Sequence, residues 1–141
     1  MTTSRKILVL QHLAVEHPGV FRDFLARDGF DYVPLELDAG ATIPPLEDYA
    51  ALWVMGGPMD VWQEAAHPWL VAEKAAIRRA VRELAMPYLG FCLGHQLLAD
   101  ALGGEVGLAA EAEVGIMPVA CSAGQSSPFL QGVPSSFEVM Q

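Results

Sequence analysis

Positive charge is scarce in this sequence: eight lysine and arginine residues stand against seventeen aspartate and glutamate residues, for a formal net charge of -9 and a pI near 4.7. A field of that sign repels phosphate backbones and anionic lipid, so no nucleic-acid and no membrane partner is expected. Long apolar runs are also missing. The run at 7–10, just after Arg5-Lys6, is too short for a signal-peptide core or a membrane span, which makes a cytoplasmic location the expectation. Cysteine is nearly absent. Two residues, Cys92 and Cys121, in a chain able to build its own core are expected as reduced thiols without a disulfide. None of the four histidines forms a zinc-type spacing with cysteine or a second histidine, so no metal and no other cofactor is expected. Internal repeats and low-complexity tracts are lacking too.

What is present suffices for one ordinary core. With 52% of 141 residues hydrophobic and 18% charged, the chain reads as a single globular domain over 1–141. Residues 6–10 are β-branched and aliphatic, as in a strand buried on both faces of a parallel sheet. Residues 18–28 place Val20, Phe21, Phe24 and Leu25 at helical spacing and stop at Gly29; 32–37 read as a second strand. After a proline-containing connection at 43–48, the apolar run 50–55 stops at Gly56-Gly57-Pro58, which marks a loop at a strand's carboxyl end. The segment 68–84 is the clearest helix. Leu70, Val71, Ala75, Ile77, Val81 and Leu84 are assigned to its apolar side, and Glu73, Lys74, Arg78, Arg79, Arg82 and Glu83 to a solvated outer face. A strand at 86–91 and a helix at 93–102, closed by Gly103-Gly104, flank Cys92. Extended pieces around 113–121, a Gly/Ser/Pro-rich loop at 122–134 and an alternating stretch at 137–141 complete the chain. The alternation of strands and helices predicts an α/β three-layer sandwich around a mainly parallel sheet.

The chemistry centres on Gly90-Phe91-Cys92-Leu93-Gly94-His95-Gln96. A nucleophile on a tight strand-to-helix turn projects from the sheet edge, and Gly90 and Gly94, two residues to either side, leave room for the crowded backbone. The following helix start brings positive potential and free amides toward sulfur, which favours thiolate. A single cysteine between strand and helix is more often a small buried hydrophobe. The paired glycines argue against that.

This run resembles the nucleophile motif of class I (triad-type) glutamine amidotransferases, especially stand-alone members similar to the glutaminase domain of GMP synthase. Trp53-Val54-Met55-Gly56-Gly57-Pro58 resembles the family's oxyanion loop, and Glu113-Val114-Gly115 with Val119 resembles the stretch after the nucleophile helix. The resemblance implies a flavodoxin-like fold, Cys92 as catalytic nucleophile, the N–H groups of Gly57 and Leu93 as oxyanion hole, and Gln96 as a substrate contact. By themselves Gly-Gly-Pro reads equally as an ordinary turn and Gln96 as a solvated helix residue. The implied reaction is thiolate attack on a glutamine or γ-glutamyl amide, loss of ammonia and hydrolysis of a thioester, with a synthetase as ammonia acceptor.

In the family a His-x-Glu or His-x-Asp pair follows a strand resembling 136–141, and this sequence carries no such pair. The domain is therefore expected to be truncated and incomplete at its C-terminus, inactive as it stands, and prone to homo-oligomerise through uncovered apolar surface. The other reading is a non-catalytic amidotransferase-like binding module. His95, three residues after Cys92, is a weak candidate base. His12 and His17 lie near the first strand's carboxyl end, where sites gather in such sheets, and His67 belongs to a surface loop.

Overall fold

In the computed structural model the described residues are 6–122 and 127–140, and they divide into two compact units, Met1–Val106 and Gly107–Gln141. Residues 1–5, residues 123–126 of the expected loop and Gln141 at the end of the last expected strand lie outside the described residues.

The first unit contains β1 (Lys6–Gln11), α1 (Phe21–Arg27), β2 (Asp31–Glu36), β3 (Ala51–Val54), α2 (Trp69–Arg82), β4 (Tyr88–Gly90) and α3 (Leu93–Ala101). Its four strands are parallel in the order β2-β1-β3-β4. Winding outward from β1 in both directions, with right-handed crossovers, sends α1 to one face of the sheet and α2 and α3 to the other. Alternation along the strands follows from this. Leu8, Leu10, Leu52 and Val54 join Leu70 and Ile77 of α2 and Leu93 and Leu97 of α3 in one buried cluster. Ile7, Val9, Ala51 and Met55 pack with Leu25 of α1 on the other face. Each such leucine, isoleucine, valine or methionine side chain contributes about 1.5–3 kcal/mol when fully buried. The expected three layers and parallel sheet are therefore present. The change of winding direction falls between β1 and β3, the position at which ligands bind in open α/β sheets.

The expected outer face of α2 needs correction. Glu73 is fully buried, on a stripe with Leu70, Ile77 and Ala80, whereas Val71 is 55% exposed. Spacings of three, four and three residues put 70, 73, 77 and 80 on one side of a helix, whatever their polarity. Lys74 is also drawn inward, with Nζ 2.6 Å from the Val61 carbonyl and 2.7 Å from both Glu64 and Asp100. Among the described residues no helix is long and apolar enough to cross a membrane.

The second unit pairs β5 (Ile116–Ala120) antiparallel with β6 (Ser136–Met140), Val119 opposite Phe137. Cys121 follows β5, its N–H bonded to Ser135 O at 2.9 Å and its thiol 3.6 Å from Pro134 O.

Candidate active site

The carboxyl ends of β1, β3 and β4 lie side by side, and each delivers one part of the site: His12, Gly56-Gly57 and Cys92. Cys92 is exposed and caps α3 with φ 49° and ψ -107°. For a residue with a Cβ this backbone is sterically disfavoured by about 1–3 kcal/mol, and it persists only where its surroundings enforce it. The enforcement is visible. A methyl group on Gly90 would stand 2.7 Å from both the Gly94 carbonyl carbon and His95 N, and one on Gly94 would stand 2.8 Å from the Val54 carbonyl carbon. The first turn of α3 thus rests directly on the β3 backbone. Phe91 N–H donates to Val54 O at 2.9 Å, and Tyr88 Oη donates to Gly94 O at 2.7 Å. Burial raises the Tyr88 phenol well above its ordinary value, with Glu73's charge adding to the effect, so it stays a donor.

Strain at Cys92 has a thermodynamic signature. Cys92→Gly should melt above Cys92→Ala, reversing the usual order of Ala over Gly, by about 1 kcal/mol or roughly 2–4 °C. Calorimetry on the two variants checks it, and an alanine variant equal to or above glycine would remove the strain.

Gly56 and Gly57 lie against this turn. A side-chain carbon on Gly56 would be 3.7 Å from Cys92 Cβ and 3.1 Å from Glu16 Oε2; one on Gly57 would be 3.1 Å from both Leu93 Cδ2 and His12 Cβ. The structure therefore brings together Cys92, Leu93 and Gly57, three of the four expected site residues. Gln96 is exposed on α3 with its N–H bonded to Cys92 O at 3.1 Å. His95 is exposed, His17 accepts from Gly19 N–H, and the His67 ring lies 5.5 Å from that of Trp69.

His12 is the residue whose part in the site the sequence understates. It is fully buried, stacks on Trp69 at 5.2 Å, and sits between Gly56 O, 2.8 Å from Nδ1, and Glu73 Oε1, 2.8 Å from Nε2. The Gly56 carbonyl accepts, and against an ionised Glu73 both ring nitrogens donate, which is the imidazolium form. Burial alone would lower its pKa, but the hydrogen bond and charge of Glu73, the Gly56 carbonyl and the charge of Asp38 outweigh it and hold the value above the ordinary 6.5. Glu73 Oε2 has no hydrogen-bond partner among the described residues. Among them, too, no group of three or more His, Cys, Asp or Glu side chains is placed to hold a metal ion.

A cysteine on a strained strand-to-helix turn, at the carboxyl edge of a doubly wound parallel sheet, defines a recognisable class of α/β protein. The chain belongs to the class I glutamine amidotransferase family, which matches residues 25–141. It is 41% identical over 90 residues to a glutamine-hydrolysing GMP synthase of Aeropyrum pernix, covering 64% of this chain and 16% of that protein. With a glutamine-hydrolysing GMP synthase subunit of Sulfolobus acidocaldarius it shares 32% over 104 residues, 72% of this chain and 52% of the relative. The crystal structure of a glutamine amidotransferase from Thermotoga maritima superimposes with a TM-score of 0.88 at 28% identity, over 96% of this chain and 59% of that one. A glutamine amidotransferase from Methylobacillus flagellatus gives 0.86 at 34% identity, over 99% and 55%. The chain therefore spans about half or less of the curated relatives' lengths. The flavodoxin-like fold expected from the motif is the fold of this family.

Proposed function

We propose that Cys92 takes the γ-glutamyl group of glutamine, or of a related γ-glutamyl amide, as a thioester. The observation that carries this reading is the enforced backbone at Cys92, which presents an exposed thiol at the start of α3 beside Gly56-Gly57. The thiolate forms a bond to the amide carbon. The resulting oxyanion is held by the N–H groups of Gly57 and Leu93, helped by a helix start whose first amides have no intrahelical acceptor, and Gln96 contacts the substrate. The C–N bond then breaks, ammonia leaves after gaining a proton, and water releases glutamate.

Protonating the leaving nitrogen needs a donor near sulfur. His12 is committed to Glu73 and Gly56, and His17 to Gly19. An activated γ-glutamyl ester, whose leaving group needs no proton, is therefore expected to acylate Cys92 far faster than glutamine does. The GMP synthase relatives support a synthetase as the ammonia acceptor, and a reducing cytoplasmic setting and self-association belong to the same proposal.

Occupancy of the site is tested by iodoacetamide labelling with and without L-glutamine, read by peptide mapping. Cys92 should label faster than Cys121, and glutamine should slow Cys92 alone. Labelling of Cys92 that ignores glutamine would overturn substrate binding at this site. Protection without any acylation by the ester would mark a binding module.

A further inference from the structure

The buried His12–Glu73 pair performs no step in the reaction above, yet it ends on the loop that the reaction uses. Ion pairs of this kind are poor stabilisers, because desolvating two charges offsets most of their attraction, and here one carboxylate oxygen is left without a partner among the described residues. Apolar residues of similar volume would fill the space between α2 and the sheet at less cost. What they would lack is a donor aimed at Gly56.

The Gly56 carbonyl and the Gly57 N–H belong to one peptide unit, which is planar and trans. Holding the carbonyl therefore fixes the direction of the N–H, which points away from His12. A peptide between two glycines has little side-chain restraint against turning over. We propose that His12 is a positioning residue, gripping the Gly56 carbonyl through Nδ1–H so that the Gly57 N–H faces the oxyanion, with Glu73 holding the ring as the imidazolium this requires. The inference rests on the reading of Cys92 and Gly57 in the proposed function. Were the ring neutral, its remaining proton would stay on Nε2 against Glu73, and the Nδ1 lone pair would face the carbonyl oxygen. The latch would then repel what it now holds.

The charged and titratable groups around it come from several elements. Glu73 of α2 contacts the ring directly, Asp38 after β2 acts on its charge, Tyr88 of β4 lies within the field of Glu73, and Glu16 stands on the Gly56 side of the loop.

Two reactions of the same thiolate separate the latch from the nucleophile. L-Glutamic acid γ-p-nitrophenyl ester acylates sulfur: the C–S bond forms through an oxyanion, then the C–O bond breaks and nitrophenolate leaves with its electron pair. Iodoacetamide alkylates sulfur with loss of iodide and no oxyanion. The ratio of the two rates cancels the thiolate fraction and reports on the hole. His12→Gln can retain the contact to Glu73 while losing the Gly56 bond, and should lower the ratio by about 100-fold, the loss typical of one oxyanion donor. His12→Asn places an amide where Nδ1 stands and should restore at least about a tenth of the native ratio. In the unmodified protein the ratio should fall as pH rises above 6.5 through the raised His12 value, which serves if a variant does not fold. A ratio unchanged in His12→Gln, or one flat with pH in the native chain, overturns the latch while leaving Cys92 as nucleophile. Alkylation without any acylation in the native chain overturns both.

Discussion

Glu73→Ala should cost about 3–5 kcal/mol of stability, because it leaves the His12 imidazolium buried without its counter-charge. That is a large share of the roughly 5–15 kcal/mol available to a domain of this kind. The same substitution at Glu83, whose side chain is 67% exposed on the turn that ends α2, should stay within about 0.5 kcal/mol. Replacing both partners, as His12→Phe with Glu73→Leu, should recover most of the loss, since no charge is then left unpaired. Urea midpoints at constant m-value measure all three. The pair also makes stability depend on pH. His12 is raised above its ordinary value of 6.5 when folded, so its contribution is complete below that pH and declines as pH rises through the folded value. A loss in Glu73→Ala of less than about 1 kcal/mol would mean that the two side chains do not form a buried ion pair.

Gly94→Ala is the second substitution with a large expected effect. The new methyl would meet the Val54 carbonyl carbon at 2.8 Å and Val54 Cβ at 3.0 Å. Val54 lies on β3, which pairs with β1 on one side and β4 on the other, so the strand cannot retreat. The helix must lift instead. About 3 kcal/mol of stability should be lost, and the displacement of Cys92 should slow its acylation by about 100-fold, the usual consequence of a misplacement near 1 Å. Gly107, where a methyl would meet nothing within 4 Å, provides the control. Native acylation in Gly94→Ala would show that the close seat of α3 on β3 does not aim the thiol.

The sequence discloses the bases of these two effects unequally. The Gly94 contact is legible because the G-x-C-x-G run states both the turn and the need for small neighbours, and the aliphatic runs around it fix the strands. The His12–Glu73 contact is hidden for two reasons. Glu73 carries a charge, and its polarity argues for the solvated face, although its spacing from Leu70, Ile77 and Ala80 places it on the buried stripe. His12 shares strand parity with Leu8 and Leu10, the residues that face α2 and α3, but parity does not say which helix covers that face. That depends on where α2, the crossover from β3 to β4, is laid on the sheet, and it brings Glu73 against the residue that follows β1. A contact 61 residues apart in the chain follows from topology, and the sequence pattern states topology only as a class of fold.

Whether Cys92 accepts the γ-glutamyl group is tested most directly by a brief exposure of the chain to L-glutamic acid γ-p-nitrophenyl ester at neutral pH, quenching in acid, and peptide mapping of both cysteines. The expected result is a glutamyl thioester on Cys92, none on Cys121, and loss of the adduct in Cys92→Ala. Equal acylation of the two cysteines, or an adduct that persists without Cys92, would contradict it.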